Sequence, residues 1–179
     1  MEVRKMTAPL AALAVGAAVL LALSAALRGT ARENQAEEQS RVMALLLPGS
    51  RSFTQEAYTG DDGNISAVFR GEGGYVVETV LKGYVDEMTL WVGVSDQGRV
   101  TGVTVRNMAE TWGLGRRAMT DLAFLEQLLH TNGSAALGEG IQAISGATVT
   151  SKEVIRAVNS AAAFVTGADV SSGATEWGG

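Results

Sequence analysis

Between Met6 and Leu27 the chain runs for 22 residues without a charged side chain, and 18 of those residues are apolar. No other stretch restricts its folding as much. As a helix rising about 1.5 Å per residue, such a run reaches roughly 33 Å, enough to cross a hydrocarbon core of about 30 Å. Arg4 and Lys5 precede it, and Ser24, Ala25 and Ala26 lie near its end, which are also the marks of an export signal. The run is longer than the roughly 7–15 apolar residues of a cleaved signal, so residues 6–27 read as a retained transmembrane anchor. Arg28 and Arg32 behind the run balance Arg4 and Lys5, and charge alone leaves its orientation nearly tied. Exporting the carboxy-terminal part is the simpler route and places it on the outer, non-cytoplasmic face of the cell membrane. Residues 28–179 hold 12 Lys/Arg against 18 Asp/Glu, a net charge of −6, so neither nucleic acid nor an anionic lipid surface attracts them.

The remainder reads as an α+β domain, a mostly antiparallel sheet with flanking helices. Residues 28–48 form a connecting helix, in which Ala36, Met43 and Leu47 share one face and Pro48-Gly49 stops the turn. Val68 to Phe69, Tyr75 to Leu81, Met88 to Val94 and Val100 to Val105 read as strands. Turns fall at Gly71 to Gly74 and at Ser95 to Arg99. Ala118 to His130 predicts a helix with Ala118, Leu122, Leu125 and Leu129 on its inner stripe. Glu153 to Val165 predicts a second, through Val154, Val158, Ala161 and Val165. The folded domain therefore spans 49–166, and the small, glycine-rich stretch 167–179 reads as a flexible tail.

Several chemistries are excluded by residue type. The chain has no cysteine, which removes disulfides, thiolate metal sites and a cysteine nucleophile. Its one histidine, His130, leaves no partner for a metal site, and no GxSxG elbow or P-loop is present. Glycine is abundant instead, 22 of 179 residues, where a usual share is roughly 7%. Backbone groups, more than acid–base side chains, are then the expected binding tools.

Two glycine-containing segments stand out. In Ile144-Ser145-Gly146-Ala147-Thr148-Val149-Thr150-Ser151-Lys152-Glu153, Thr150 and Glu153 have capping-box spacing, which predicts a helix starting just after Thr150. Unsatisfied N–H groups and partial positive charge at such a start suit a phosphate, with the Thr148 hydroxyl beside it. An ordinary well-capped turn explains the same residues. In Glu110-Thr111-Trp112-Gly113-Leu114-Gly115-Arg116-Arg117, two glycines let the backbone pass a flat ligand, Trp112 offers a covering ring, and Arg116 or Arg117 offers charge. A turn with solvated arginines is the competing reading.

SGATVTS before a helix, ETWGLG after a hairpin, Gly83-Tyr84, Asp96 to Gly98, Leu47-Pro48-Gly49 and the amino-terminal run together resemble the FMN-binding domain family of electron-transport flavoproteins. The resemblance covers most of the chain. It is nearest to the G subunits of Rnf-type ion-translocating ferredoxin:NAD oxidoreductases and second to the C subunits of sodium-pumping NADH:quinone reductases. That resemblance implies FMN joined through its phosphate to Thr148 as an ester made by a flavin transferase. It further implies electron relay among other membrane and redox subunits, without independent catalysis, and no catalytic or metal-ligating side chain is assigned. Ser145, Gly146, Ala147 and Thr150 are expected around the phosphate, and Glu110, Thr111, Leu114 and Gly115 along the ring or its ribityl chain. The chain departs from the family at Trp112, where proline is usual, and at Gln142, where an acid is frequent. Asp169 to Thr175 repeats SGAT with the acid in place, which makes Thr175 a second candidate acceptor. A reversible FMN sensor or a scaffold without redox work is the alternative from another functional class.

Overall fold

A computed structural model describes residues 3–82, 87–108 and 121–168, and within its first helix the side chains of residues 16–24 and 33–46. The chain divides into two compact units, Met1–Arg41 and Val42–Gly179. In the first unit the backbone is helical from Val3, as part of helix α1 (Val3–Leu46). Val19, Leu20, Leu21 and Leu23 stand exposed on it, and Ser24 Oγ donates back to the Leu21 carbonyl at 2.9 Å. Among the described residues no helix is long and apolar enough to cross a membrane. The side chains described inside the 6–27 run are those of Gly16–Ser24 alone. Exposed Glu37 and Arg41 pair at 3.8 Å one turn apart, an interaction worth a few tenths of a kcal/mol at most, ~0.3.

The second unit is built on a five-stranded antiparallel meander, in the order β1 (Thr54–Glu56), β2 (Ile65–Gly71), β3 (Gly74–Lys82), β4 (Glu87–Ser95) and β5 (Val100–Met108). Sequence-adjacent strands pair directly, with tight turns at Glu72-Gly73 between β2 and β3 and at Asp96 to Arg99 between β4 and β5. Two helices follow, α2 (Leu122–Glu126) and α3 (Thr148–Thr166). The expected strands lie inside β2 to β5. Strand β1 was not anticipated: its three residues are exposed and polar, and they offer no alternation to read.

Alternation within the strands divides the core between the two sheet faces. On one face Val77, Leu81, Met88, Leu90, Val92, Val94 and Val100 pack with Val154, Val158 and Ala161 of α3. From Ala157 to Ala163 every residue of α3 is buried. A helix in this position has small side chains on all sides, because strands, hairpin and loop all approach it.

The opposite face of the sheet is covered by the last turn of α1, whose residues from Val42 onward belong to the second unit. Met43, Leu46 and Leu47 pack there with Val76 and Trp91. Trp91 is held from three directions: its Nε1 donates to Glu78 Oε2 at 2.8 Å, Phe69 lies 5.7 Å away ring to ring, and the Arg106 guanidinium sits 4.2 Å over its face. Gly93 and Gly102 are register partners beneath Leu46. A Cβ on Gly93 would overlap the Leu46 carbonyl oxygen, and one on Gly102 would lie 3.0 Å from Leu46 Cα. Two strands without side chains thus form a slot into which a helix end fits backbone to backbone. Thr101 Oγ1 completes it by donating to the Leu46 carbonyl at 2.5 Å, which satisfies an acceptor that the helix end leaves open.

Three helical expectations need correction. Ala36 is exposed, while Met43 and Leu47 are buried as expected, packed with Val76 and Trp91. The helix expected from Ala118 to His130 is the five-residue α2, with Ala118 outside the described residues. Phe124 and, just past the helix, Leu128 are fully buried and were not on the expected stripe; of that stripe Leu125 packs against the core, whereas Leu122 is exposed. Asp121 caps this helix: its Oδ1 accepts from Phe124 N at 3.1 Å, and the helix starts at Leu122. The third correction concerns α3, which starts at Thr148 and not beyond Thr150.

Candidate functional site

The start of α3 is set by a turn and not by a capping box. Gly146 has φ 81°, a left-handed conformation that glycine adopts at little cost, and it swings the chain from Ile144 into Ala147. Ala147 is the N-cap residue and supplies no side-chain cap. Thr150, expected as the cap, is buried within the first turn, and Glu153 pairs instead with Arg156 at 3.2 Å. No acidic side chain occupies that first turn. The helix therefore opens with amide donors and partial positive charge that no side chain of its own neutralises. Ser145, Gly146, Thr148 and Val149 are exposed around this opening, and Ala147 is buried beneath it.

The approach to this opening, from Thr131 to Ala147, has almost no regular structure; its one ladder contact is an isolated parallel bridge between Leu137 and Ile141. Side chains from the two helices hold it. Asn159, buried on α3, accepts from Ala135 N at 3.0 Å and donates from Nδ2 to the Ala135 carbonyl at 2.9 Å. Its amide acts as one strand residue would, pairing with both backbone groups of a neighbour. Gln127, just past α2, accepts from Gln142 N at 2.7 Å while its Nε2 donates to the Ala123 carbonyl at 3.0 Å. Ser151 Oγ accepts from Ile144 N at 3.3 Å and donates to the Ala147 carbonyl at 2.9 Å. Sequence reasoning had missed all three as parts of the site. Ser151 carried a faint signal as the last hydroxyl of SGATVTS; Gln127 and Asn159 carried none, since an amide's partner lies far off in sequence.

Replacing Asn159 by alanine leaves one donor and one acceptor of Ala135 buried and unpaired, which is expected to cost about 3 kcal/mol of unfolding free energy. Denaturant titration of the variant measures it. A loss below about 1 kcal/mol would show that Asn159 does not hold the loop.

The structure brings Ser145, Gly146, Ala147, Thr148 and Thr150 together at one helix opening. Gly83-Tyr84, Glu110, Thr111, Trp112, Leu114, Gly115, Arg116, Arg117 and Thr175 lie outside the described residues. Among the described residues no group of three His, Cys, Asp or Glu side chains is arranged to hold a metal ion. Thr148 is exposed at this opening, which among the described residues carries no side-chain cap and no acid in its first turn, so the opening suits an anionic group.

Comparison with known proteins places this geometry in context. The FMN-binding domain family matches residues 83–163, a span that contains both glycine motifs and most of α3. The G subunit of the ion-translocating oxidoreductase complex of Methanosarcina acetivorans is 32% identical, over 92% of this chain and 95% of its own length. The G subunit of the proton-translocating ferredoxin:NAD(+) oxidoreductase complex of Clostridium ljungdahlii is 30% identical over 76% of both chains. The Na(+)-translocating counterpart of Acetobacterium woodii is 38% identical over 48% of this chain and 46% of its own.

Proposed function

Since this chain belongs to the FMN-binding domain family, we propose that it is an electron-transfer flavoprotein subunit of an ion-translocating ferredoxin:NAD oxidoreductase complex, with FMN esterified to Thr148. The observation that carries the reading is the exposed Thr148 hydroxyl at a helix start with no side-chain cap and no acid in its first turn. An FMN phosphate fits these residues: amide donors and the positive helix end offset its charge, and Ser145 and Gly146 are small enough to admit it. When bound, the flavin supplies one- and two-electron redox chemistry, so no acid–base side chain is required of the chain.

Each residue of the site then has a distinct part. Thr148 Oγ1 holds the phosphate covalently, with Ser145, Gly146 and Ala147 forming the wall of the turn. Thr150, buried below, supports the first helical turn rather than meeting solvent. Glu110, Thr111, Leu114 and Gly115 line the ring or its ribityl chain, and Arg116 or Arg117 balances the charge of the reduced flavin. Residues 6–27 anchor the subunit in the membrane with its domain on the outer face, a reading supported by the aliphatic side chains exposed around α1 at Val19, Leu20, Leu21 and Leu23. The other membrane and redox subunits are the electron partners, and a flavin transferase is the maturation partner. Catalysis of ferredoxin oxidation or NAD reduction is left to those subunits. Thr175 is a lesser acceptor, because the cradle argued for Thr148 depends on the helix that follows it.

The full chain from cells that contain a flavin transferase tests this directly. Yellow fluorescence is expected to stay with the denatured polypeptide. Fluorescence that separates on denaturation would instead identify a reversible FMN-binding module, and its absence a scaffold.

A further inference from the structure

Thr148 opens α3 directly behind a turn, Ile144 to Ala147, that regular secondary structure does not hold. Its geometry depends on where Ile144 and Ala147 are placed, and both are bound to one atom. Ser151 Oγ, on a fully buried residue, accepts from Ile144 N at 3.3 Å and donates to the Ala147 carbonyl at 2.9 Å. The same carbonyl accepts the Ser151 backbone N–H at 2.9 Å, and Ala147 N donates to the Ile144 carbonyl at 2.9 Å. These four bonds close a small ring of contacts around Ser145 and Gly146, with Thr148 emerging at its edge.

We propose that Ser151 is the positioning residue of flavin attachment: its hydroxyl fixes the Ile144–Ala147 turn so that Thr148 Oγ1 faces an incoming phosphorus. The inference rests on the reading of Thr148 as the acceptor. In the attachment step the Thr148 oxygen forms a bond to the flavin-side phosphorus of a flavin dinucleotide. The phosphoanhydride P–O bond of that donor breaks, the leaving nucleoside monophosphate takes the electron pair, and the hydroxyl proton passes to the transferase or to water. Nothing is oxidised or reduced. Ser151 takes no part in these bond changes and touches no reacting atom. It acts by keeping Ala147 and Gly146 from relaxing, which would turn Thr148 away from the donor. A loose acceptor still docks on the transferase but reacts less often per encounter, so the effect belongs in kcat and not in KM.

The test uses the full chain in detergent with a purified flavin transferase and a flavin dinucleotide, measuring initial labelling rates against chain concentration. Ser151→Ala is expected to lower kcat at least about tenfold with KM within a factor of about two. Val154→Ala, one turn further into α3 and fully buried, also weakens the domain but leaves the turn untouched, and is expected to label at the wild-type rate. Wild-type kcat in Ser151→Ala, a fall confined to KM, or an equal fall in Val154→Ala would overturn the proposal. Thr148→Val, run in parallel, separates the two readings: continued labelling there refutes Thr148 as the acceptor, whatever Ser151→Ala does.

Discussion

Thr148→Val is expected to abolish covalent flavin on this chain and to leave the folded domain in place. Valine has nearly the shape of threonine and the same β-branching, so the first turn of α3 tolerates it, and the residue is exposed. Only the hydroxyl is removed, and with it the sole atom of the side chain that can form an ester. Unfolding free energy should change by no more than about 0.5 kcal/mol. Labelling should fall to background, with no mass increase on the peptide that contains residue 148 and no fluorescence migrating with the denatured chain. Electron flow through the assembled complex should stop for the same reason, since the carrier is missing and no side chain replaces it. Thr175→Val is expected to keep wild-type labelling. The opposite pattern, label retained in Thr148→Val and lost in Thr175→Val, would move the attachment site to the tail and leave the helix opening without a role.

How far the site could be foreseen depended on what kind of interaction set each residue. The strands were legible because β-branched residues recur in short runs broken by Gly71, Gly74 and Gly98, and local turn chemistry dictates where a meander folds back. The small residues of SGAT marked the helix opening for the same local reason. The start of α3 was misread because Thr150 and Glu153 satisfy a capping pattern that the fold does not use. Burial of Thr150 against the core outweighs the single bond a cap would give, and Glu153 turns to Arg156. Side chains that hold the loop reach across 15 residues from Gln127 to Gln142 and 24 from Asn159 to Ala135. Such bonds leave no periodicity to detect. The same holds for Gly93 and Gly102, which in a strand look like weak points until the helix end that needs them is seen.

Gly93→Ala is expected to destabilise the second unit by about 3 kcal/mol or more, a large part of the about 5–15 kcal/mol that usually separates folded from unfolded domains. The added Cβ would overlap the Leu46 carbonyl oxygen, which is backbone and already holds the Thr101 hydroxyl at 2.5 Å. No rotamer change relieves such an overlap. Either β4 bends or the end of α1 withdraws, and withdrawal uncovers Met43, Leu47, Val76 and Trp91, each at most 3% exposed in the intact fold. Trimming Leu46 to alanine should not rescue the variant, since the obstruction is the carbonyl and not the side chain. Gly73→Ala supplies the comparison: a Cβ there meets nothing within 4 Å, and its cost should stay within about 0.5 kcal/mol. Guanidinium titration of the two full-length variants, followed by circular dichroism, measures both. Equal midpoints would mean that α1 does not need its glycine slot, and that the sheet face carrying Trp91 is held by something other than the helix end.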